Sequence, residues 1–225
     1  MRLLLFSLCF FAASATAQAQ LIPNANNRAW QPQDEFALGG QGQAYTKPDN
    51  FKYIPYPEPL PAPAVTWQDS TGGAVALADL KGYVVVVNFW ATWCGPCVME
   101  MPELDTLQQR YGPAGLLVAA VSVDEGGLNV IDTFYKKHGI RNLPIFSDPG
   151  ADAPAAFNVR TLPASFVINR DGQLVGMLPG FGEWGSDTAR KIIETALRDR
   201  AIHAPPVTKF KNIEIMDVIE GIPSP

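Results

Sequence analysis

The chain has 225 residues, a formal net charge of −5 and 47% hydrophobic residues. That length holds one domain of about 100–150 residues with a real core, plus extensions. A mildly acidic chain without a basic stripe excludes nucleic acid as a partner.

Residues 1–19 read as a secretory signal peptide, because Arg2 precedes an apolar stretch, Leu3 to Ala15, that ends in small residues. Cleavage is expected at Ala15-Thr16-Ala17, before Gln18, or at Ala17-Gln18-Ala19, before Gln20. The stretch is shorter than the roughly 20 residues of a bilayer span, which favours cleavage over a retained anchor. Cys9 lies inside it, after Leu8 rather than a small residue, unlike a lipoprotein cysteine. The exported, periplasmic chain then keeps Cys94 and Cys97 with no further thiol to misoxidise, which suits a redox catalyst.

Residues 20–63 form a Pro/Gly-rich arm. Eight prolines between Leu21 and Pro63, with Gly39-Gly40-Gln41-Gly42, exclude a long helix or an inner strand. Trp30, Phe36, Tyr45, Phe51, Tyr53 and Tyr56 are too many aromatics for a solvated linker, so the arm is expected to be irregular and partly packed. Tyr53 to Pro63 reads as extended polyproline-like chain leading into the domain.

Residues 64–202 read as one α/β domain. Val65 to Gln68 and Ala74 to Leu77 flank Asp69-Ser70-Thr71-Gly72-Gly73 as a β-hairpin. Asp79 caps a short turn. Val84 to Phe89 is apolar except for Asn88, which marks a central strand covered on both faces. A helix follows from about Pro96 to Tyr111, with Pro102 expected to kink it. Leu116 to Val123 is a second buried strand, and Asp124-Glu125 its loop end. Leu128 to His138 is amphipathic, with Val130, Ile131, Phe134 and Tyr135 on one side and Gly139 as C-cap. His138 reads as a solvated residue offsetting the helix dipole. Pro144 to Phe146 is a short strand, and Pro154 to Phe157 a small helix. Ala164 to Asn169 and Gln173 to Leu178 form a hairpin around Arg170-Asp171-Gly172. Ser186 or Asp187 caps a last helix to about Ala201, with Ile192, Ile193, Ala196 and Leu197 facing in. Residues 203–225 fit neither helical nor strand periodicity and are read as a surface-packed extension. Alternating strands and helices predict a three-layer fold with a mostly parallel central sheet, an antiparallel closing hairpin and an N-terminal β-hairpin.

The chemistry-bearing stretch is Trp93-Cys94-Gly95-Pro96-Cys97, where a buried strand gives way to a helix. A Cys-x-x-Cys beside a βαβ pattern reads as a redox pair that forms a reversible Cys94–Cys97 disulfide. At a helix N-terminus, unpaired N–H groups and the dipole favour the Cys94 thiolate. Cys97, one turn further in, is a close and more buried partner. A zinc half-site or a structural disulfide is the competing reading, but zinc takes four ligands and the chain adds only His138 and His203. Glu100 follows Cys97 by three residues, hence on the same helix face, as a buried or half-buried carboxyl able to take the Cys97 proton. Asn88 is read as a hydrogen-bonded core amide, and Trp90 and Trp184 as packing residues.

Asn88-Phe89-Trp90-Ala91-Thr92-Trp93-Cys94-Gly95-Pro96-Cys97 followed by Pro102 resembles the thioredoxin active site. Leu162-Pro163, before a strand, matches that superfamily's cis-proline. More narrowly the chain resembles the exported TlpA-like thioredoxins, which include the cytochrome c maturation reductases. The matching features are the leading hairpin, Asp79-Leu80-Lys81-Gly82, Val98-Met99-Glu100-Met101-Pro102, the insert from about Leu128 to Phe157, and Gly180-Phe181-Gly182-Glu183-Trp184. The resemblance covers about Val65 to Leu197 and implies a thioredoxin-like fold.

That resemblance implies a thiol–disulfide oxidoreductase without metal or other cofactor, acting as a monomer. Cys94 attacks and Cys97 resolves, with Glu100 handling the proton. Asn88 stands where cytoplasmic thioredoxins carry an aspartate, which leaves proton handling to Glu100 or water. Trp93, Gly95, Pro96, Leu162 and Pro163 form the client-binding surface. Trp93 offers a flat apolar face, and Pro163 leaves adjoining backbone free to pair with an extended client. Gly95-Pro96 is the pair of the reducing members, which points to a reductase fed by a membrane thiol relay. Its clients would be disulfide-containing proteins such as apocytochrome c or a copper-site assembly protein. The competing readings are a disulfide oxidase or isomerase, and a copper metallochaperone that lacks the usual third ligand. A peroxidase is disfavoured by the Cys-x-x-Cys arrangement.

Overall fold

The structure, a computed structural model, describes residues 51–198. The expected leader with Cys9, the arm up to residue 50, the expected last residues of the final helix and the tail with His203 lie outside the described residues. Within them, β1 (Ile54–Pro61), β2 (Thr66–Asp69), β3 (Ala74–Ala76), β4 (Val84–Trp90), β5 (Leu116–Ser122), β6 (Phe146–Ser147), β7 (Ala164–Ile168) and β8 (Gln173–Pro179) form a single sheet. Its order is β1-β8-β7-β4-β5-β6-β2-β3. The helices are α1 (Gly95–Tyr111), α2 (Gly127–His138), α3 (Asp152–Ala156) and α4 (Asp187–Arg198).

β4 is the centre of the sheet and every one of its residues is buried. Its side chains alternate between two cores, as a pleated strand requires. Val84, Val86 and Trp90 join Met101 and Leu104 of α1, Ile131 and Phe134 of α2, and Ile193 of α4. Val85, Val87 and Phe89 face the other way, onto Trp67, Leu80, Ala153 of α3 and Phe157. Three helices thus cover one face, and α3 with the turn Leu77–Leu80 lies on the other. This is the expected three-layer thioredoxin-like fold.

The sheet is mixed rather than mostly parallel. β4–β5 and β5–β6 are parallel, whereas β1–β8, β8–β7, β7–β4, β6–β2 and β2–β3 are antiparallel. The N-terminal and closing hairpins stand as expected, but together with β1 on β8 their antiparallel pairings outnumber the two parallel ones. Antiparallel flanks also suit edges that are half exposed.

Described residues before 64 pack onto the domain. Phe51 is buried edge-on against Trp184, their rings 5.1 Å apart, and Tyr53 lies over Gly176, where a Cβ would strike its hydroxyl. Residues 54–61, read as polyproline-like chain, instead pair with β8 as an edge strand whose register shifts between Pro55 and Leu60. Prolines at 55, 57, 59 and 61 fall on alternate residues. Pairing with β8 holds at Ile54, Pro55, Leu60 and Pro61 and is interrupted between them, and each proline removes a donor a further strand would need. Proline is tolerated at such an edge and blunts it.

Helix ends follow local chemistry. Gly139 takes a left-handed φ of 69° as the C-cap of α2, a conformation that glycine adopts without penalty. α1 runs unbroken through Pro102. Val130, expected on the inner face of α2, is 36% exposed, while Ile131, Phe134 and Tyr135 are buried as expected. Among the described residues no helix is long and apolar enough to cross a membrane.

Candidate active site

The redox pair sits where β4 hands over to α1. Cys94 is the N-cap of α1, its backbone extended and its carbonyl accepting from Val98 N–H at 3.0 Å. Its Sγ accepts from Cys97 N–H at 3.4 Å. Cys94 and Cys97 form a disulfide with Cα atoms 5.3 Å apart. Cys97 is fully buried while Cys94 is 7% exposed, so an incoming group reaches Cys94 first. The same N–H that faces the sulfur in the disulfide faces the thiolate after reduction, and α1 adds its dipole.

Trp93, Gly95 and Pro96 are exposed around the pair, Trp93 at 71%. Leu162-Pro163 is a cis peptide bond. The following Ala164 pairs with Phe89, which places Pro163 beside the carboxyl end of β4 from which the cysteine loop departs. Leu162 is half-buried against both cores. The structure therefore gathers every residue expected at the site around one end of β4. Met99 (64% exposed) and Phe181 (36%) add apolar surface that sequence reasoning did not single out.

Glu100 is fully buried on α1, the first turn after Cys97. Its Oε1 accepts from Asn88 Nδ2 at 2.7 Å and its Oε2 from Gly182 N–H at 2.8 Å. Burial, partly offset by these two donors, pushes its carboxyl from 4.5 up to about 7. The Trp184 indole N–H lowers it a little, although it stays outside hydrogen-bond geometry, and Glu103 raises it. Desolvation dominates, as expected for a carboxyl inside an apolar shell. A group poised near neutrality can both take and return a proton at ordinary pH.

Asn88 is the core amide expected, with a sharper task. Its Nδ2 also donates to Ser165 Oγ at 2.9 Å, and its Oδ1 is buried without a partner. Gly182 is shaped by the same site. A Cβ there would strike the Leu178 side chain and come within 2.8 Å of Trp184 Nε1. Trp184 is therefore more than packing, since it walls the carboxyl. These links join residues 77 to 82 positions apart, and no local sequence signal announces them.

Asp124, read as a loop end, is 4% exposed and bonded to the cysteine loop. Its Oδ2 accepts from Thr92 N–H at 2.9 Å and from Ser122 Oγ at 2.7 Å, and its Oδ1 from Thr92 Oγ1 at 2.7 Å. Its place at the carboxyl end of a parallel strand, where α/β folds put their sites, was the available signal. Among the described residues no three His, Cys, Asp or Glu side chains cluster as a metal site. His138 is exposed and stacks on Phe134, ring centroids 4.2 Å apart.

Known proteins resemble this chain in sequence and fold. Over 119 residues the chain is 34% identical to the thiol-disulfide oxidoreductase ResA of Bacillus subtilis (strain 168), matching 53% of this chain and 65% of that protein. It is 35% identical to the ResA of Bacillus anthracis over 119 residues, 53% of this chain and 68% of that one. The chain thus spans just under two thirds of the length of the first relative and just over two thirds of the second. The crystal structure of a thiol:disulfide interchange protein, thioredoxin family protein, from Chlorobium tepidum TLS matches with a TM-score of 0.52 at 31% identity, covering 62% of this chain and 97% of that chain. A DsbF homologue from Corynebacterium diphtheriae, 24% identical with a TM-score of 0.55 over 69% of this chain and 99% of its own, shares the fold. Residues 60–177, a little over half of the chain, match the AhpC/TSA family. With its Cys-x-x-Cys at the head of α1, the chain belongs to that family as a TlpA-like thioredoxin.

Proposed function

We propose that the chain is an exported thiol–disulfide oxidoreductase that reduces disulfides in client proteins. One observation carries this reading: a disulfide between the N-cap of α1 and its first turn, with Cys97 fully buried and Cys94 the slightly more exposed partner. In the dithiol form the Cys94 thiolate attacks a client disulfide. A Cys94–client bond forms and the other client sulfur leaves as thiolate. Cys97 then loses its proton and attacks Cys94 Sγ. The Cys94–Cys97 disulfide forms, and the second client sulfur leaves, so two electrons have passed from the pair to the client. Glu100 is the acceptor for the Cys97 proton and returns it when the pair is reduced again. An upstream dithiol, of the membrane-relay class, supplies the electrons for the next cycle.

Trp93, Gly95, Pro96, Leu162 and Pro163 form the docking surface for an extended client segment. Relatives named ResA and a protein named for disulfide interchange support the exchange chemistry. Cytochrome c maturation or copper-site assembly is the client class we assign. The apolar leader at residues 3–15 supports a periplasmic location, and the chain acts as a monomer.

A redox titration of the Cys94/Cys97 couple tests the direction. A midpoint near that of reducing thioredoxins, about −270 mV, is expected. A midpoint near that of oxidising folding catalysts, about −120 mV, overturns it. A Cys97→Ser variant should accumulate mixed disulfides on Cys94, whose partners mass spectrometry identifies. Equal trapping by Cys94→Ser would reverse the two roles.

A further inference from the structure

We propose that Asp124 is a positioning residue for the exchange reaction, holding the loop that presents Cys94 through Thr92. The inference rests on the thiol–disulfide reading above and deepens it.

The loop from Trp90 to Cys94 leaves β4 and must aim Cys94 at the first turn of α1. Three bonds tie it to the segment just after β5. Val123 N–H donates to Trp90 O at 3.0 Å. Thr92 gives Asp124 both its backbone N–H and its hydroxyl, at 2.9 and 2.7 Å. Asp124 is itself locked, because Ser122 Oγ donates to its Oδ2 while Asp124 N–H donates back to Ser122 Oγ at 3.0 Å. Within the loop, Cys94 N–H closes a turn onto Ala91 O at 3.1 Å. Thr92 and Cys94 are thus fixed on either side of Trp93, whose side chain stands 71% exposed. A largely exposed aromatic between two anchored neighbours is a docking feature on a rigid mount. Without Asp124 the mount loses two of its three ties at once.

A simple loop end needs no buried carboxyl. Asp124 spends both oxygens on three donors, and two of those belong to one residue two positions from Cys94. The neighbouring Ser122 is on β5, whose alignment with β4 is fixed by a full parallel ladder from Val84↔Leu116 to Trp90↔Ser122. Asp124 therefore transmits the position of the rigid sheet to the loop. Its contribution is the thiol geometry at Cys94, and its signature is thiol reactivity rather than stability alone.

The substitutions separate geometry from charge because the two act with opposite signs. Removing a nearby carboxylate by charge alone makes the Cys94 thiolate easier to form. Releasing the loop takes the thiolate out of line with the Cys97 N–H and the head of α1, and makes it harder to form. Asn at position 124 keeps the geometry, with its oxygen accepting from Thr92 N–H and Ser122 and its amide donating to Thr92 Oγ1. Thr92→Val removes one bond with no change of charge, and Thr92→Ser keeps it.

The test measures the pH profile of Cys94 alkylation in the reduced full chain, the rate of client-disulfide reduction, and thermal stability. D124A is expected to alkylate about tenfold more slowly at pH 7, the change given by raising the thiol pKa one unit. Its reduction of a protein disulfide should fall about ten- to a hundredfold, as for a misplaced reacting group. T92V should move the same way by about two- to fivefold, and decides the matter if D124A does not fold. D124N and T92S should stay within about threefold of the unmutated chain. The proposal is overturned if D124A and T92V lose stability while Cys94 alkylates as before or faster, or if D124N slows as much as D124A. A parent chain that exchanges no disulfide sinks the functional reading instead, and this inference with it.

Discussion

Asn88 Nδ2 donates to Glu100 Oε1 at 2.7 Å, which ties the middle of the central strand to the helix headed by Cys94. With Ser165 on one side and Gly182 on the other, the pair forms a chain of polar groups inside an apolar shell. A carboxyl held this way is soluble in the core only while enough donors face it. Two donors are present and the group is otherwise dry, so its ionisation is costly and its proton is retained to near neutral pH. The helix headed by Cys94 thus carries a buried carboxyl inside the fold, the group assigned as proton acceptor in the proposed cycle.

That arrangement makes stability depend on pH. Glu100 is pushed from 4.5 up to about 7 in the folded chain. Between those values the folded chain holds a proton that the unfolded chain has released, so stability falls as pH rises through this window and levels off above it. The span corresponds to about 3 kcal/mol. Comparing urea unfolding of the oxidised chain with Glu100→Gln at pH 5 and pH 8 isolates it. The variant should lack this slope, because Gln resembles the protonated acid and the spare Asn88 Oδ1 accepts from its amide once the Asn88 amide turns over. Its Cys97-dependent step should slow by about a hundredfold, the usual worth of a positioned proton acceptor. Equal slopes in both chains would remove Glu100 from the account.

Asn88→Asp sharpens the same point. It sets a second carboxyl at hydrogen-bond distance from the first, and two such groups share one proton because both cannot ionise together. The pair's last proton should leave above pH 7, so the alkaline loss of stability moves upward. The exchange profile should move with it. A pH profile superimposable on that of the parent chain would mean the two side chains do not share a site in solution.

Much of this was legible before any coordinates. The unbroken Val84 to Phe89 run marked a strand buried on both sides, and the three-residue step from Cys97 placed Glu100 on the right helix face. Leu162-Pro163 was picked out by the resemblance, as the proline that precedes a strand. What escaped reading was long-range or hidden by local signals. Asp124 looked like a loop end because its partner lies 32 residues earlier. β1 was hidden because four alternating prolines argue against a strand unless it sits on an edge with its proline side outward. The proportion of parallel pairing was misjudged because crossovers announce themselves as helices, whereas an edge strand added to β8 leaves no mark in periodicity.

Two glycines near the site should respond unequally. At Gly182 a methyl group would collide with Leu178 and press on Trp184, in a wall that also presents the N–H to Glu100. Gly182→Ala is therefore expected to cost about 1–3 kcal/mol, the usual penalty for overpacking. At Gly95 an added Cβ meets nothing within 4 Å. Gly95→Ala should change stability by less than about 0.5 kcal/mol. Thermal unfolding of both variants checks the contrast, and equal losses would show that the crowding around Gly182 is relieved by movement.

Trp93 provides the test of docking apart from chemistry. Its side chain is 71% exposed and adds nothing to either core, so Trp93→Ala should leave stability within about 0.5 kcal/mol of the parent chain. An exposed aromatic next to a reactive sulfur is a typical anchor residue, and truncating such an anchor costs about 2 kcal/mol or more. Reduction of a protein disulfide should then fall by about thirtyfold, the rate equivalent of that energy. A small-molecule disulfide, which has no segment to lay across the indole, should react at nearly the parental rate. If both substrates slow together, the indole acts on Cys94 itself rather than on the client. If neither slows, the surface that meets the client lies elsewhere, and Met99 and Phe181 become the next side chains to truncate.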